Sequence, residues 1–371
     1  MMNMRLWEAL AFTLPVVGAL VCMLMMLMDV FRYKRDGADR RLRLLLALTY
    51  LATSLGWIGM VLFSISSHAF EQYHIVFQLT LMMDQVMFFW VVSIITGTGE
   101  RWEFNFLHLV VPVAFTAISF VGDLVLPAGK AGTVRPEDAE AWFRAIYLLT
   151  TLIFVIYNTL YPLLNLLSIR RYRRFIVNYS SEAQRISLDW LTVMQVLILI
   201  TVPVPLAGLL LDIQTFSTSY LIWLGALPTF VFYVMLCYNL LDDNYLIIQP
   251  EPFGEDIMPA RSATIDRKRF ERYLRDKKPY LNPNLRITDL AAGLNTNRSY
   301  LSAFINREYG MNFCRLINRC RLDALHRLRL SPEYAGKTNM ELVLIAGFSG
   351  YRNYLRVKRE EDRLSELKIF E

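Results

Sequence analysis

A cluster of side chains that can form hydrogen bonds and ion pairs lies in the sequence NRSYLSAFINR, from Asn297 to Arg307. Leu301 and Phe304 share one face at the helical repeat, and the opposite face carries small or polar residues. Amide and guanidinium groups can read base edges or bind phosphate, and small side chains allow close approach. The face has no acid, since Glu308 lies on the other side. It fits either a nucleic-acid contact or an ordinary solvated helix face. Its members are Asn297, Arg298, Ser299, Ser302, Ala303, Asn306 and Arg307.

The residues before this face form a helical pattern that would hold it in place. Apolar side chains recur at helical spacing in Ile287, Leu290, Ala291 and Leu294. Asn295 follows, and asparagine tolerates the positive φ that a tight turn needs. Asn297 can cap the next helix. The buried side chains of that helix are expected to be Leu301, Phe304, Ile305 and Tyr309. Two short helices joined in this way predict a helix-turn-helix at about residues 285–309, whose second helix can enter the major groove.

A series of short motifs between Pro279 and Ala324 occurs in the same order as in a known domain. They are Pro279-Tyr280-Leu281, Leu290-Ala291, Tyr300-Leu301-Ser302, Phe304, Gly310-Met311-Asn312-Phe313, Ile317-Asn318, Arg321-Leu322 and Ala324. Through these residues the segment from Lys278 resembles the DNA-binding domain of AraC-type transcription regulators. The resemblance covers about residues 265–371 and implies DNA as a partner. An amphipathic helix is expected first, at Ile265 to Asp276. The helix that joins two helix-turn-helix units in that family would pack here through Phe313, Leu316, Ile317, Cys320, Ala324 and Leu328.

A second unit at about residues 340–359 resembles the family's second motif through Gly347-Phe348-Ser349, Tyr354 and Arg356-Val357. The resemblance implies Tyr351, Arg352 and Arg356 as further DNA contacts. The sequence departs from the family at Val343, where alanine is usual, and at Lys358, where an aromatic core residue is expected. The family's closing Gly-x-x-Pro is absent, and the acids Glu360, Glu361 and Asp362 face phosphate poorly. The alternative function is therefore a protein-interaction tail that no longer reads DNA.

The chain before Asp242 has the composition of a membrane protein. Apolar residues make up 55% of the whole chain, more than an ordinary soluble protein carries. Seven apolar runs are long enough to cross a bilayer, which takes about 20 residues each. Their approximate limits are Leu6–Val30, Leu42–Ile65, Ile75–Gly97, Phe104–Leu126, Trp142–Leu167, Asp189–Leu211 and Thr218–Leu241. The sequence therefore predicts an all-α chain with a polytopic seven-helix bundle at residues 1–241.

Basic residues predict the orientation of this bundle. They concentrate in the first, third and fifth connections, at Arg32, Lys34, Arg35, Arg40, Arg41, Arg43, Arg101, Arg170, Arg171, Arg173, Arg174 and Arg185. Because basic loops stay in the cytoplasm, the N-terminus is expected outside and the C-terminal domain in the cytoplasm. Together with the AraC-type resemblance, this predicts a multi-pass protein of the bacterial inner membrane. A tether at residues 242–264, interrupted by prolines, would join the bundle to a DNA-binding domain at residues 265–371.

Polar residues inside the predicted spans are few. Asp84 lies near the middle of the third span, and a carboxylate there is costly unless it is paired, protonated or wetted. It is a candidate sensing position, or else an interhelical hydrogen-bond partner. Asp29 lies near a span end and is expected to be solvated. The last span lacks the lysine that a retinal Schiff base requires.

These patterns lead to one leading hypothesis about function. The chain is expected to be a membrane-bound one-component transcription regulator that senses an unknown small-molecule or membrane stimulus. Its partners would be DNA and the lipid bilayer, and the resemblance allows a homodimer. No enzyme activity, catalytic residue, cofactor or metal site is expected, because no phosphate loop, carboxylate pair, Ser/His/Asp grouping or metal-ligand spacing is found.

Overall fold

The structure is a computed structural model that describes residues 6–33, 37–65, 67–97, 104–128, 136–183, 185–202, 221–247 and 265–367. The fold is all-helical, as expected: the described residues contain no β-strand and a single isolated β-bridge. The chain divides into two compact units. The first unit comprises Met1–Ile169 and Leu188–Gln249, and the second comprises Arg170–Ser187 and Pro250–Glu371.

Long apolar helices form the first unit. They are α1 (Leu6–Arg32), α2 (Gly37–Ile65), α3 (Ser67–Thr96), α4 (Val110–Ala128), α5 (Pro136–Ile176), α6 (Asp189–Thr201) and α7 (Leu221–Leu241), with a short 3-10 helix at Phe106–Leu109. Helix α1 packs against α2 and α7, α2 packs against α3, and α6 packs against α7. Only residues up to Ile169 of α5 belong to this unit.

Five of these helices are long and apolar enough to cross a membrane. The membrane-length stretches are Leu10–Arg32, Gly37–Leu62, Tyr73–Thr96, Leu148–Ile176 and Trp223–Leu241. Two further apolar stretches, Phe106–Gly122 and Asp189–Thr201, are shorter. Residues 203–220, which include the last nine residues of the predicted sixth span and the first three of the predicted seventh, lie outside the described residues. The described residues therefore establish five helices of membrane length, which is fewer than the seven predicted.

The outer face of α5 explains why lipid suits the first unit. Six large apolar side chains recur there every three or four residues and are 46–57% exposed. They are Leu148, Leu152, Ile156, Leu160, Leu163 and Leu167. A continuous apolar stripe of this kind is unfavourable in water and costs nothing in hydrocarbon.

The interior of the first unit contains amide pairs that connect neighbouring helices. Gln85 of α3 donates from Nε2 to Asn158 Oδ1 of α5 at 3.0 Å. Asn165 of α5 donates from Nδ2 to Gln195 Oε1 of α6 at 3.1 Å. Polar pairs between helices are a common contact in membrane bundles, because the surrounding lipid offers no hydrogen-bond partner.

Residues 265–367, the described C-terminal part of the second unit, contain six α-helices. They are α8 (Arg267–Lys277), α9 (Ile287–Gly293), α10 (Arg298–Tyr309), α11 (Phe313–Leu330), α12 (Asn339–Ile345) and α13 (Tyr351–Leu367), with 3-10 turns at Pro279–Leu281 and Pro332–Tyr334. We call α9 with α10 the first helix pair and α12 with α13 the second helix pair. Helix α11 packs against both α10 and α12.

Side chains from every helix build the core of this unit. Phe270 and Leu274 of α8 are buried, which agrees with the amphipathic pattern predicted there. On α11 the buried set includes Phe313, Leu316, Ile317 and Ala324, while Cys320 is only half-buried. The core of the second pair is formed by Val343, Phe348, Tyr354 and Val357.

One part of the second unit lies far from the rest in sequence. Residues Arg170–Ser187 belong to it, although the sequence places them in the connection between the fifth and sixth apolar runs. The sequence predicted residues 1–241 as one domain and did not predict that residues 170–187 belong to the second unit. Most of the predicted tether, residues 248–264, lies outside the described residues.

Candidate nucleic-acid interface

The first helix pair is held by the local features that its sequence predicts. Asn295 adopts φ +53° in the turn after α9, so the expected left-handed residue is found there. The Asn297 side chain accepts a hydrogen bond from the Tyr300 backbone N–H at 2.7 Å and caps α10, as predicted. Leu301, Phe304 and Ile305 are buried beneath α10. The remaining face of the helix is thereby directed outward.

That outward face carries most of the predicted contact residues. Ser299, Asn306 and Arg307 are exposed, and Ser302 is half-buried. The Arg307 guanidinium pairs with Glu308 at 2.9 Å. Exposed ion pairs of this kind are worth about 0–1 kcal/mol, so a phosphate group can compete for the arginine. Asn297 is exposed as well, but its side-chain oxygen is already used by the cap.

Arg298 has an aromatic partner that the sequence did not indicate. Its guanidinium lies 4.8 Å from the centroid of the Phe175 ring, and its side chain is half-buried. Phe175 in turn stacks on Tyr179 with ring centroids 5.4 Å apart. A guanidinium over a ring face is stabilised by a cation–π interaction and keeps its N–H groups at the ring edge. Arg298 is therefore pre-oriented at the first turn of α10.

The second helix pair is formed as completely as the first. Thr338 and Glu341 form a capping box at the start of α12, with the Glu341 carboxylate accepting from the Thr338 N–H at 2.7 Å. Gly347 takes φ +94° in the following turn. Val343 is fully buried and fits the core, although alanine was expected there. Lys358 is exposed, so it leaves no charge in the core.

Helix α13 presents the three residues predicted for its first turns. Tyr351, Arg352 and Arg356 are all exposed. The Tyr351 hydroxyl accepts a hydrogen bond from Asn339 Nδ2 at 3.3 Å, which joins the first turn of α13 to α12. The second pair thus exposes one aromatic and two basic side chains at the start of α13.

Glu361 forms ion pairs within the second unit. Its carboxylate accepts from Arg315 Nε at 2.7 Å and from Arg319 Nε at 3.0 Å, both on α11. Burial pushes the Glu361 pKa upward, but the two arginine hydrogen bonds outweigh that effect and the pKa is lowered. This acid therefore anchors α13 to α11, whereas Glu360 and Asp362 are exposed beside it.

Neither a protein-family model, nor a curated protein, nor a solved structure matches this chain. The geometry of its own residues therefore carries the functional conclusion.

The candidate sensing residue lies among the polar contacts of the first unit. Asp84 is half-buried on α3, next to the buried Gln85 that binds Asn158. Six residues earlier, Gln78 donates to Ser119 Oγ of α4 at 2.8 Å. Asp84 therefore lies on the helix that makes polar contacts with α4 and α5.

Arg43 and Asp29 correct an expectation about solvation. Arg43, counted among the basic loop residues, is fully buried on α2 and pairs with Asp29 at 3.0 Å. Asp29 is 8% exposed, so the expectation that it is solvated was wrong. Arg43 also pairs with Asp39 and Asp243, and donates to the Leu240 carbonyl at 2.8 Å. A buried arginine requires such partners for its donors, and the two aspartates close to it in sequence, Asp29 and Asp39, are the signal that could have located it.

The sequence also missed the role of residues 177–183, which we call the connecting segment. They were counted only as part of a basic loop. In the structure this segment is built into the second unit, and Glu182 accepts hydrogen bonds from the second helix pair. The available signal was the apolar content of the loop, since Val177, Tyr179 and Ala183 are unusual in a fully solvated connection.

Proposed function

We propose that the chain is a membrane-bound one-component transcription regulator of the AraC type. In this proposal the first unit forms a seven-helix sensor in the bacterial inner membrane, with the N-terminus outside. The second unit lies in the cytoplasm, where its two helix pairs act as helix-turn-helix units on DNA. The stimulus reaches the protein in or across the membrane.

The observation that carries this proposal is the outward face of α10. Its exposed groups are an amide, a guanidinium and small hydroxyls, while its apolar residues are used for packing. In the proposed complex Asn306 reads a base edge, Arg298 and Arg307 bind phosphate or guanine, and Ser299 and Ser302 allow close approach. The capped N-terminus of α10 further favours an anionic partner.

The presence of two similar helix pairs in the second unit supports the same function. Tyr351, Arg352 and Arg356 of α13 give the second pair an exposed basic surface, and α11 contacts both pairs. Two linked DNA-binding elements on one DNA bind more tightly than either alone, by a factor of about 10²–10⁴. A homodimer would extend the site further.

The first unit supplies the sensing half of the proposal. Its five helices of membrane length and its exposed apolar stripe support insertion into a bilayer. Asp84 is the candidate sensing group, because a change in its protonation or pairing would alter the contacts of α3 with its neighbours. A stimulus that shifts helix packing would then change how the DNA-binding unit is presented.

DNA binding by the full-length protein in lipid nanodiscs tests this function. The probe is a random-sequence duplex library, from which the wild type is expected to enrich a defined motif with steep salt dependence. A variant carrying Arg298→Ala and Asn306→Ala is expected to enrich none. A matched variant carrying Arg272→Ala and Asn284→Ala, two exposed residues away from α10, is expected to enrich the same motif as the wild type.

Two results would contradict the proposal. Equal enrichment by the α10 double variant would show that this face does not read DNA. A wild-type protein that retains no duplex would favour the second candidate function, in which the second unit binds another protein. The departures of the second motif from the AraC pattern, at Val343 and Lys358, motivate that candidate.

A further inference from the structure

The connecting segment is an interior part of the second unit. Tyr179, Ser180, Ser181, Glu182 and Ala183 are each at most 8% exposed. Along the chain these residues lie between the fifth and sixth apolar runs. Connections between helices normally run over the surface, because their backbone polar groups need water or other partners. A buried connection of this kind requires a specific set of partners, and the second unit provides them.

The first partners are the N-terminal ends of α9 and α11. The Ile287 N–H at the start of α9 donates to the Tyr179 carbonyl at 2.9 Å, and the Cys314 N–H of α11 donates to the Val177 carbonyl at 3.0 Å. Ser180 and Arg286 form the isolated antiparallel bridge. The first N–H groups of a helix have no partner within the helix. The connecting segment thus accepts a hydrogen bond from an N–H at the start of α9, within the first pair, and from one at the start of α11, the next helix.

The second partner is Arg321, which is fully buried on α11. Its Nε donates to the Tyr280 carbonyl at 2.8 Å, and its Nη2 donates to Ser181 Oγ at 3.0 Å and to the Asn282 carbonyl at 2.8 Å. Its Nη1 is 3.4 Å from Glu182 Oε1. An arginine has five N–H donors, and burial requires each to be satisfied. The connecting segment supplies two of the acceptors.

The third partner is the second helix pair. Asn353 on the first turn of α13 donates from Nδ2 to Glu182 Oε1 at 2.8 Å, and the Ser349 hydroxyl donates to Glu182 Oε2. The Glu182 carboxylate therefore receives donors from α11 on one side and from the start of α13 on the other. Burial raises the pKa of Glu182, and the hydrogen bonds from Ser349 and Asn353 and the charge of Arg321 only partly oppose this.

We infer that Glu182 is a positioning residue that fixes the second helix pair relative to the first, through hydrogen bonds to Arg321, Ser349 and Asn353. This inference rests on the proposed function for its biological meaning. The connecting segment then controls whether the two helix pairs can bind the same DNA. When it is seated, both helix pairs can reach one DNA. When it is withdrawn, Asn353 and Arg321 lose a partner and the second pair is released.

Hydrogen–deuterium exchange of the full-length protein in nanodiscs tests the positioning without any DNA. In Glu182→Ala the amides of residues 339–357 are expected to exchange at least about tenfold faster, because buried donors are left unpaired. The amides of α10 are expected to stay within about threefold of the wild type. Glu182→Gln keeps an acceptor for Asn353 and is expected to restore slow exchange. Glu333→Ala, an exposed glutamate of the same unit, is the control and is expected to change neither region.

Three exchange results would overturn the inference. The first is unchanged exchange in Glu182→Ala, and the second is equal acceleration in α10 and in residues 339–357. The third is a Gln variant that exchanges as fast as the Ala variant. If Glu182→Ala fails to fold, Asn353→Asp provides the same test, since it sets a second carboxylate against Glu182. That variant is expected to accelerate exchange in residues 339–357 alone, and unchanged exchange there would likewise overturn the inference.

Footprinting then connects the positioning to DNA. The probe is the duplex pool enriched by the wild-type protein. Glu182→Ala is expected to protect only the half-site of the first pair and to bind about a hundredfold more weakly, while Glu182→Gln protects both half-sites. A full-length footprint for Glu182→Ala would overturn the inference. If the wild type enriches no duplex, the proposed function fails, and the exchange data still decide whether Glu182 positions the second pair.

Discussion

The side-chain amide of Asn353 donates a hydrogen bond to Glu182 Oε1 at 2.8 Å, although 171 residues separate the two positions in the chain. One residue lies in a connection between apolar segments and the other at the start of the last helix. The contact makes the second unit a composite of two distant stretches of sequence. A fragment that begins after Gln249 lacks the connecting segment and is therefore an incomplete version of this unit.

The buried carboxylate of Glu182 predicts an unusual pH dependence. Its pKa is raised in the folded protein, so ionising it costs stability above the folded pKa, and that cost vanishes as the pH falls below the unfolded pKa. Arg321, Arg185 and the Cys314 thiol are the ionisable groups that act on it. Glu182→Gln should therefore gain thermal stability relative to the wild type as the pH rises from about 4.3, the ordinary glutamate pKa. Melting curves of both proteins at several pH values measure this difference, and a difference independent of pH would contradict the burial argument.

The carboxylate of Glu361 is expected to give the opposite dependence of stability on pH. Its pKa is lowered by Arg315 and Arg319, so its contribution to stability is present above the unfolded pKa and is lost as the pH falls through the folded pKa. Glu361→Gln is expected to destabilise the second unit by about 1 kcal/mol at pH 7, and by less in acid. Differential scanning calorimetry at pH 7 and in acid checks this, with Glu333→Gln as the exposed control. Equal losses at both pH values would contradict the ion-pair explanation.

Gly347 is expected to tolerate no side chain. A Cβ built there would lie 2.4 Å from the Tyr280 carbonyl oxygen and 2.7 Å from the Leu281 Cα, and the residue has φ +94°. Gly347→Ala should destabilise the second helix pair by about 1–3 kcal/mol through clash and strain. Gly350→Ala is the matched control, because a Cβ there meets nothing within 4 Å. Thermal melting compares the two, and similar melting temperatures would show that the turn adapts without cost.

Local rules predicted the first helix pair well. The turn at Asn295, the cap at Asn297 and the buried Leu301 and Phe304 follow from backbone preferences and helical spacing, which involve residues close in sequence. The same reasoning could not find Glu182, because its partners lie on α11 and α13. Nor did it locate Arg43: Asp29 and Asp39 are close to it in sequence, but its third partner, Asp243, is 200 residues away.

Arg43 predicts a strong effect on the first unit. It is fully buried with three aspartate partners, and removing one member of a buried ion pair leaves uncompensated charge. Arg43→Ala is expected to lower the free energy of unfolding by about 3–5 kcal/mol. The exposed neighbour Arg41 provides the control, since Arg41→Ala should have a small effect. Melting of both variants in detergent measures the difference, and a wild-type melting temperature for Arg43→Ala would show that the network is not stabilising.

Genome-wide mapping of the DNA cross-linked to the full-length protein in its membrane, in living cells, tests the central claim most directly. The wild type is expected to recover discrete sites that share a motif. The double variant Arg298→Ala with Asn306→Ala is expected to lose these sites while it reaches the membrane at the same level. Recovery of the same sites by the double variant, or of no sites by the wild type, would contradict the assignment of this protein as a membrane-bound DNA reader.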